Sequence, residues 1–208
     1  MKLSGLFTFL LAVGLLSCKN KTVFSLKADT AGKSIAIQPF DDFDPAAIAS
    51  VTHEISAIYN RRVIILPPVK ITTLFNNQPA NTYSADTILS SLAKLQTADI
   101  IEIIGLTHDP VFTMKEYKQY SYLDDKIFGM ACQPGNTCIV SDYRFKTSNQ
   151  VQYYQRLRNV VIHEVGHNLD LPHCPTNGCI MSAAMGKVDN LDGGLYNYCN
   201  KCNRKILP

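Results

Sequence analysis

The chain has 208 residues, 46% hydrophobic and 18% charged, which is enough for one domain with its own core and too few for two. Its formal charge of +3 is spread along the chain without a Lys/Arg block, which excludes a basic nucleic-acid-binding surface. Seven cysteines, an odd number, leave at least one outside any set of disulfide pairs.

Met1-Lys2 followed by the apolar run Leu6 to Leu16 has the form of an export signal, too short for a membrane-spanning helix of roughly 20 residues. It ends in Leu15-Leu16-Ser17-Cys18, which resembles a bacterial lipobox with Cys18 as the acylated residue. Residues 1–18 are therefore expected to be a lipoprotein-type signal peptide and residues 19–34 a tether. The folded domain is expected to span residues 35–208 and to sit exported on a bacterial envelope membrane as a monomer. Lys19-Asn20-Lys21 carries no acidic export run, so the anchor is expected to face the periplasm.

A first strand is predicted near Ser34 to Gln38. Asp44-Pro45 then opens a helix, with Asp as cap and Pro at its first position, and Ile48, Val51, Ile55, Ile58 and Tyr59 on one face. Val63 to Leu66 reads as a short buried strand stopped by Pro67-Pro68. Ser84 to Leu95 is a second helix with Ile88, Leu89, Leu92 and Leu95 inward, and Ile100 to Leu106 is strongly β-forming. Phe128 to Ala131 and Cys138 to Ser141 form paired strands, and Cys132 and Cys138 flank the turn-rich Gln-Pro-Gly-Asn-Thr, placed to close that hairpin by a disulfide. Gln150 to about Leu169 is the longest helical pattern, terminated by Pro172. Helices alternating with strands before a cysteine-rich end imply one α/β (α+β) domain with a mixed sheet and a small C-terminal subdomain.

His163-Glu164-Val165-Gly166-His167 lies on that last helix. Residues four apart stack on one helix face, so both imidazoles reach a single metal ion, while Glu164 is rotated away from ligation and toward general-base work. His173 supplies a third imidazole beyond the turn, which leaves a tetrahedral zinc one position open, as catalysis requires. His53-Glu54 has no second histidine at the needed place and reads as helix surface. His108 reads as a turn residue.

These residues, with those that follow, resemble the archaemetzincins, metzincin-type zinc metallopeptidases. The family pattern runs HExxHxxGxxHC, four residues, CxM, seventeen residues, CxxC. Here His163-Glu164, His167 and His173-Cys174 are followed by Cys179-Ile180-Met181 and Cys199-Asn200-Lys201-Cys202 at those spacings. The likeness extends upstream through Tyr83-Ser84-Ala85, Ile104 to Thr107 and Phe128 to Ala131, across residues 35–203.

The resemblance implies a compact metzincin-like domain that acts on peptides or proteins and holds two zinc ions. His163, His167 and His173 would bind the catalytic ion, and Cys174, Cys179, Cys199 and Cys202 a structural one. Two disulfides are the alternative for those four cysteines. Met181 would be the Met-turn under the catalytic zinc; by spacing alone it is a core methionine. Asp170 departs from the family, standing where the pattern has the turn glycine. The rival to an enzyme is a zinc-stabilised peptide- or protein-binding envelope lipoprotein.

Overall fold

Alternation in Ser-Ile-Ala-Ile-Gln-Pro points Ile35 and Ile37 to one side and Ala36 to the other, and all six residues of β1 (Ser34–Pro39) are buried. A strand buried on both faces belongs at the centre of a covered parallel sheet. The protein is described by a computed structural model covering residue 26 and residues 32–77, 81–117, 120–125, 127–184, 186–192 and 197–206. Residues 1–18, read above as a signal peptide ending in a lipidation site, lie outside the described residues. Within the span read as a tether, the Leu26 carbonyl accepts from Arg61 at 3.1 Å, and Ser34 already belongs to β1.

Around β1 stand β2 (Arg62–Ile65), β4 (Ile100–Thr107), β7 (Gly129–Ala131) and β8 (Thr137–Ser141), in the order β2-β1-β4-β8-β7. All neighbours are parallel except β7, which runs antiparallel to β8 along one edge. β2 is the opposite edge. Among the described residues it has one strand neighbour, and Ile65 is 54% exposed, so the expected buried strand is a half-exposed edge strand.

Helix α1 (Pro45–Tyr59) starts where the Asp44 carboxylate accepts from the Ala46 N–H at 2.9 Å and stops at left-handed Asn60. Ser84 caps α2 (Ala85–Leu92) in the same way. α2 tightens into a 3₁₀ turn over Ala93–Leu95, which leaves Leu95 42% exposed instead of inward. α3 (Gln150–Asn168) begins at Asn149, whose side chain accepts from the Gln152 N–H. α1 and α3 cover one face of the sheet with Ile48, Val51, Ile55, Leu157, Val161 and Val165; α2 covers the other with Ile88, Leu89 and Leu92.

A second sheet and a C-terminal helix were not legible in the sequence. β5 (Val111–Tyr117) and β6 (Tyr120–Asp124) form an antiparallel hairpin, and β3 (Tyr83–Ser84) adds to β5 in a second, three-stranded sheet. The C-terminal α4 (Asn200–Ile206) buries Cys202 and Ile206 against Ile162 of α3, so the cysteine-rich end packs directly on the long helix.

The Cys132–Cys138 disulfide is not formed: Cys138 is a free, fully buried thiol. The β7–β8 register sets Ala131, not Cys132, opposite Cys138. Strand side chains alternate between faces, so Cys138 joins the α1/α3 side and Cys132 the α2 side of the sheet.

Candidate metal centre and cleft

α3 carries the site because its polar histidines follow an apolar stripe that locks the helix to the sheet. His163 and His167 are one turn apart, with ring centroids 4.7 Å from each other. His163 Nδ1 donates to the Ile180 carbonyl and His167 Nδ1 to the Leu171 carbonyl, each at 2.8 Å. Protons held at Nδ1 leave the Nε2 lone pairs exposed, and these two nitrogens lie 3.0 Å apart. Two acceptors at that separation repel unless a cation sits beside both.

The His173 ring lies 5.3 Å from that of His163 and 4.9 Å from that of His167, and one ligand atom from each of the three lies within 4.8 Å of the others. Burial first, then the neighbouring histidines, push His163 down to about 3; burial also lowers His167. Both rings are therefore neutral and suited to a metal such as zinc.

The turn that returns His173 is made without glycine. Leu171 N–H bonds the Gly166 carbonyl at 3.0 Å and Asp170 N–H bonds that of His167 at 2.9 Å. This is the Schellman pattern, with Asp170 as the left-handed residue at φ 65°. Aspartate tolerates that region better than most residues. α3 thus ends at this turn, ahead of Pro172, and Asp170 is exposed and outside the ligating group.

Met181 is fully buried under α3. A Cβ at Gly166 would stand 2.3 Å from its sulfur, which explains a glycine in the last turn of the helix despite its propensity cost. Glu164 is 7% exposed, and burial pushes its carboxyl up to about 8; a cation beside it would pull that value down. Gly129 of β7 packs against this carboxylate so closely that a Cβ there would lie 2.9 Å from Glu164 Cγ.

These groups open into a cleft of about 920 Å³ walled by Phe128, Met130, Val160 and Leu191. The Leu191 wall is held by the Asn159 amide, which donates to its carbonyl at 3.0 Å, and by the Arg156–Asp192 ion pair beside it.

Cys174, Cys179, Cys199 and Cys202 converge with their sulfurs within 4.8 Å of one another. Cys174–Cys199 and Cys179–Cys202 are 3.8 Å apart and all four thiols are free. A disulfide needs about 2.05 Å, whereas thiolates 2.3 Å from a tetrahedral zinc stand about 3.8 Å apart. The donor set fits a closed zinc site. Backbone N–H bonding, from Cys202 above all, lowers Cys199 to about 6, favouring the thiolate.

Other sequence candidates lie elsewhere. The Tyr198 hydroxyl donates to the Ile162 carbonyl and pairs with Tyr59 at 2.6 Å, a packing role; Tyr196 lies outside the described residues. His108 bonds the Asp142 carboxylate at 2.9 Å and stacks on Phe43. Glu54 pairs with Arg158 at 2.7 Å beside exposed His53. Gly129, Gly166 and Glu102 were missed. The signal for Glu102 was a lone acid inside Ile-Ile-Glu-Ile-Ile, a segment read as strongly β-forming.

The family model of peptidase family M54 matches residues 14–207. The archaemetzincin of Halobacterium salinarum is 25% identical over 182 residues, covering 83% of this chain and 99% of that protein. That of Archaeoglobus fulgidus is 26% identical over 167 residues, covering 78% and 95%. Among solved structures, Archaeoglobus fulgidus archaemetzincin complexed with malonate superposes with a TM-score of 0.67 at 24% identity, over 83% of this chain and 99% of that one. Methanopyrus kandleri archaemetzincin gives 0.68 at 21%, over 86% and 96%. At these identities the superpositions establish the fold.

Proposed function

The chain belongs to peptidase family M54, the archaemetzincins, and is a zinc metallopeptidase; from that premise we propose that His163, His167 and His173 hold the catalytic zinc and that Glu164 is the general base. Zinc held there supplies the Lewis acidity that polarises a peptide carbonyl and acidifies water. The chain's own residues do the rest. Glu164 accepts a proton from the attacking water at a carboxylate oxygen and returns it to the leaving amine nitrogen. Its burial keeps it basic and in one place.

β7 is an edge strand whose three residues all line the cleft, so an extended peptide or protein segment can pair with it as an added strand. Phe128, Val160 and Leu191 offer an apolar wall for one substrate side chain. The single observation carrying this reading is the convergence of three imidazole nitrogens within 4.8 Å beside a buried carboxyl.

A second, structural zinc belongs on Cys174, Cys179, Cys199 and Cys202, where it ties α4 and the His173–Cys174 segment to α3. Cys18 is the lipid anchor, which places the enzyme on an envelope membrane facing the periplasm. The basis is the Leu15-Leu16-Ser17-Cys18 sequence; among the described residues no helix is long and apolar enough to cross a membrane.

The test is incubation of the zinc-loaded protein with a diverse peptide mixture and detection of new termini by mass spectrometry, with Glu164→Ala in parallel. Cleavage by the parent alone is expected. Zinc-loaded parent without cleavage would leave the peptide-binding role instead.

A further inference from the structure

Glu102 sits in the middle of β4 with no exposed surface, on the face that Ile104 and Leu106 turn toward α3. Its strand neighbour in β1 is Ile35. One of its carboxyl oxygens accepts an N–H from the Asn168 amide, itself fully buried. Two buried atoms of this same pair are left over, Glu102 Oε2 and Asn168 Oδ1. With an ionised carboxylate both are acceptors, and neither can serve the other. A proton on Oε2 turns it into the donor that Asn168 Oδ1 lacks, and each group then meets the other at two points.

The surroundings favour the same state. The polar groups acting on or feeling Glu102 are the Cys138 thiol of β8, Tyr59 of α1, Tyr198 and Asn168; Glu164 of α3 acts on Cys138 as well. Among the described residues, no cation is one of them. Burial pushes the Glu102 carboxyl well above the usual carboxylate range, outweighing the downward pull of the Asn168 and Cys138 hydrogen bonds, and it pushes the thiol and both phenols upward as well.

We propose that Glu102 is held as the neutral carboxylic acid, paired at two points with Asn168, and that this pair positions the last turn of the zinc-binding helix. Asn168 directly follows His167. Its backbone carbonyl accepts from the Gly135 N–H at 3.1 Å, so the turn is gripped by β4 through the side chain and by the β7–β8 loop through the backbone. The positioning role rests on His167 being a metal ligand; the neutral acid does not.

The test compares the full zinc-loaded chain with Glu102→Gln, whose amide makes the same two-point pair and does not titrate. Unfolded Glu102 releases its proton above about 4.3 while folded Glu102 keeps it. The stabilising contribution of Glu102 is therefore fully present at low pH and falls as pH rises. Relative to Glu102→Gln, the parent's folding equilibrium is expected to drop about tenfold per pH unit, hence about 100-fold from pH 5 to pH 7. The infrared carbonyl band of a protonated carboxyl is expected at pH 7 in the parent and in Glu164→Gln, and is expected to be lost when Glu102→Gln is added to Glu164→Gln.

A stability difference flat in pH, or a band unchanged by Glu102→Gln, overturns the neutral acid whether or not the protein is a peptidase. For positioning, Asn168→Leu and Glu102→Leu are expected to lower kcat at least tenfold with KM little changed and to speed zinc loss. Glu102→Gln is expected to stay within twofold of the parent in both. Unchanged kcat and zinc retention in the two leucine variants overturn positioning alone.

Discussion

Gly129→Ala tests whether the geometry around Glu164 is as tight as it looks. An added Cβ would stand 2.9 Å from Glu164 Cγ, 3.0 Å from Oε1 and 2.8 Å from the Ile139 carbonyl oxygen, where ordinary contact begins near 3.4 Å. Ile139 is pinned in the β7–β8 ladder opposite Met130, so the backbone contact cannot relax cheaply. Either the glutamate side chain or the edge strand shifts by about 0.5 Å, at about 1–3 kcal/mol of overpacking strain. A catalytic group misplaced by about 1 Å costs roughly 10² in rate, so half that displacement implies a kcat lowered about tenfold, or ~1.4 kcal/mol. Zinc content should be unchanged, because the three atoms nearest the new methyl carbon belong to Ile139 and Glu164 and none to a histidine. Steady-state kinetics on a cleaved peptide, with zinc measured on the same samples, decides it. A Gly129→Ala enzyme with kcat within twofold of the parent would refute the reasoning.

The Asp170 turn gives a graded series: Asp170→Gly keeps or slightly raises stability, whereas Asp170→Val, β-branched at φ 65°, costs about 1–2 kcal/mol in denaturant unfolding. Cys202→Ser should lower bound zinc from two ions to one per chain and lower the melting temperature, and metal analysis with thermal unfolding reads both. If the four cysteines formed disulfides instead, the zinc count would not change. Cys18→Ser should move the protein from the membrane to the soluble fraction of producing cells, at the loss of ~0.8 kcal/mol of anchoring per acyl CH₂. Retention in the membrane fraction would exclude Cys18 as the anchor.

What could be read in advance was local. His163 and His167 share a face because the helix repeats every 3.6 residues, and Asp44-Pro45 starts α1 because a cap and a fixed φ act within one turn. The cysteine spacings could be matched because metal ligands come in short pairs. The cost of departing from the family glycine was legible at Asp170, but that the turn still closes was not. It depends on Leu171 being buried and on its carbonyl reaching His167.

Burial of β2 and Leu95 was overread for a related reason: apolar runs fix a strand or helix, but an edge position is decided by the sheet as a whole. Cys132 and Cys138 bracket a hairpin in sequence, yet the register turns them to opposite faces.

Sequence alone determined the chemistry offered: three imidazoles, a carboxylate and four thiols at spacings suited to two metal ions. Tertiary structure decided what that chemistry meets. Glu102 reaches Asn168 across 66 residues, Gly129 makes room for Glu164, and Met181 fills the space that Gly166 leaves. Such contacts join segments far apart in the chain. They follow from which faces pack together, and no local period or propensity encodes that choice.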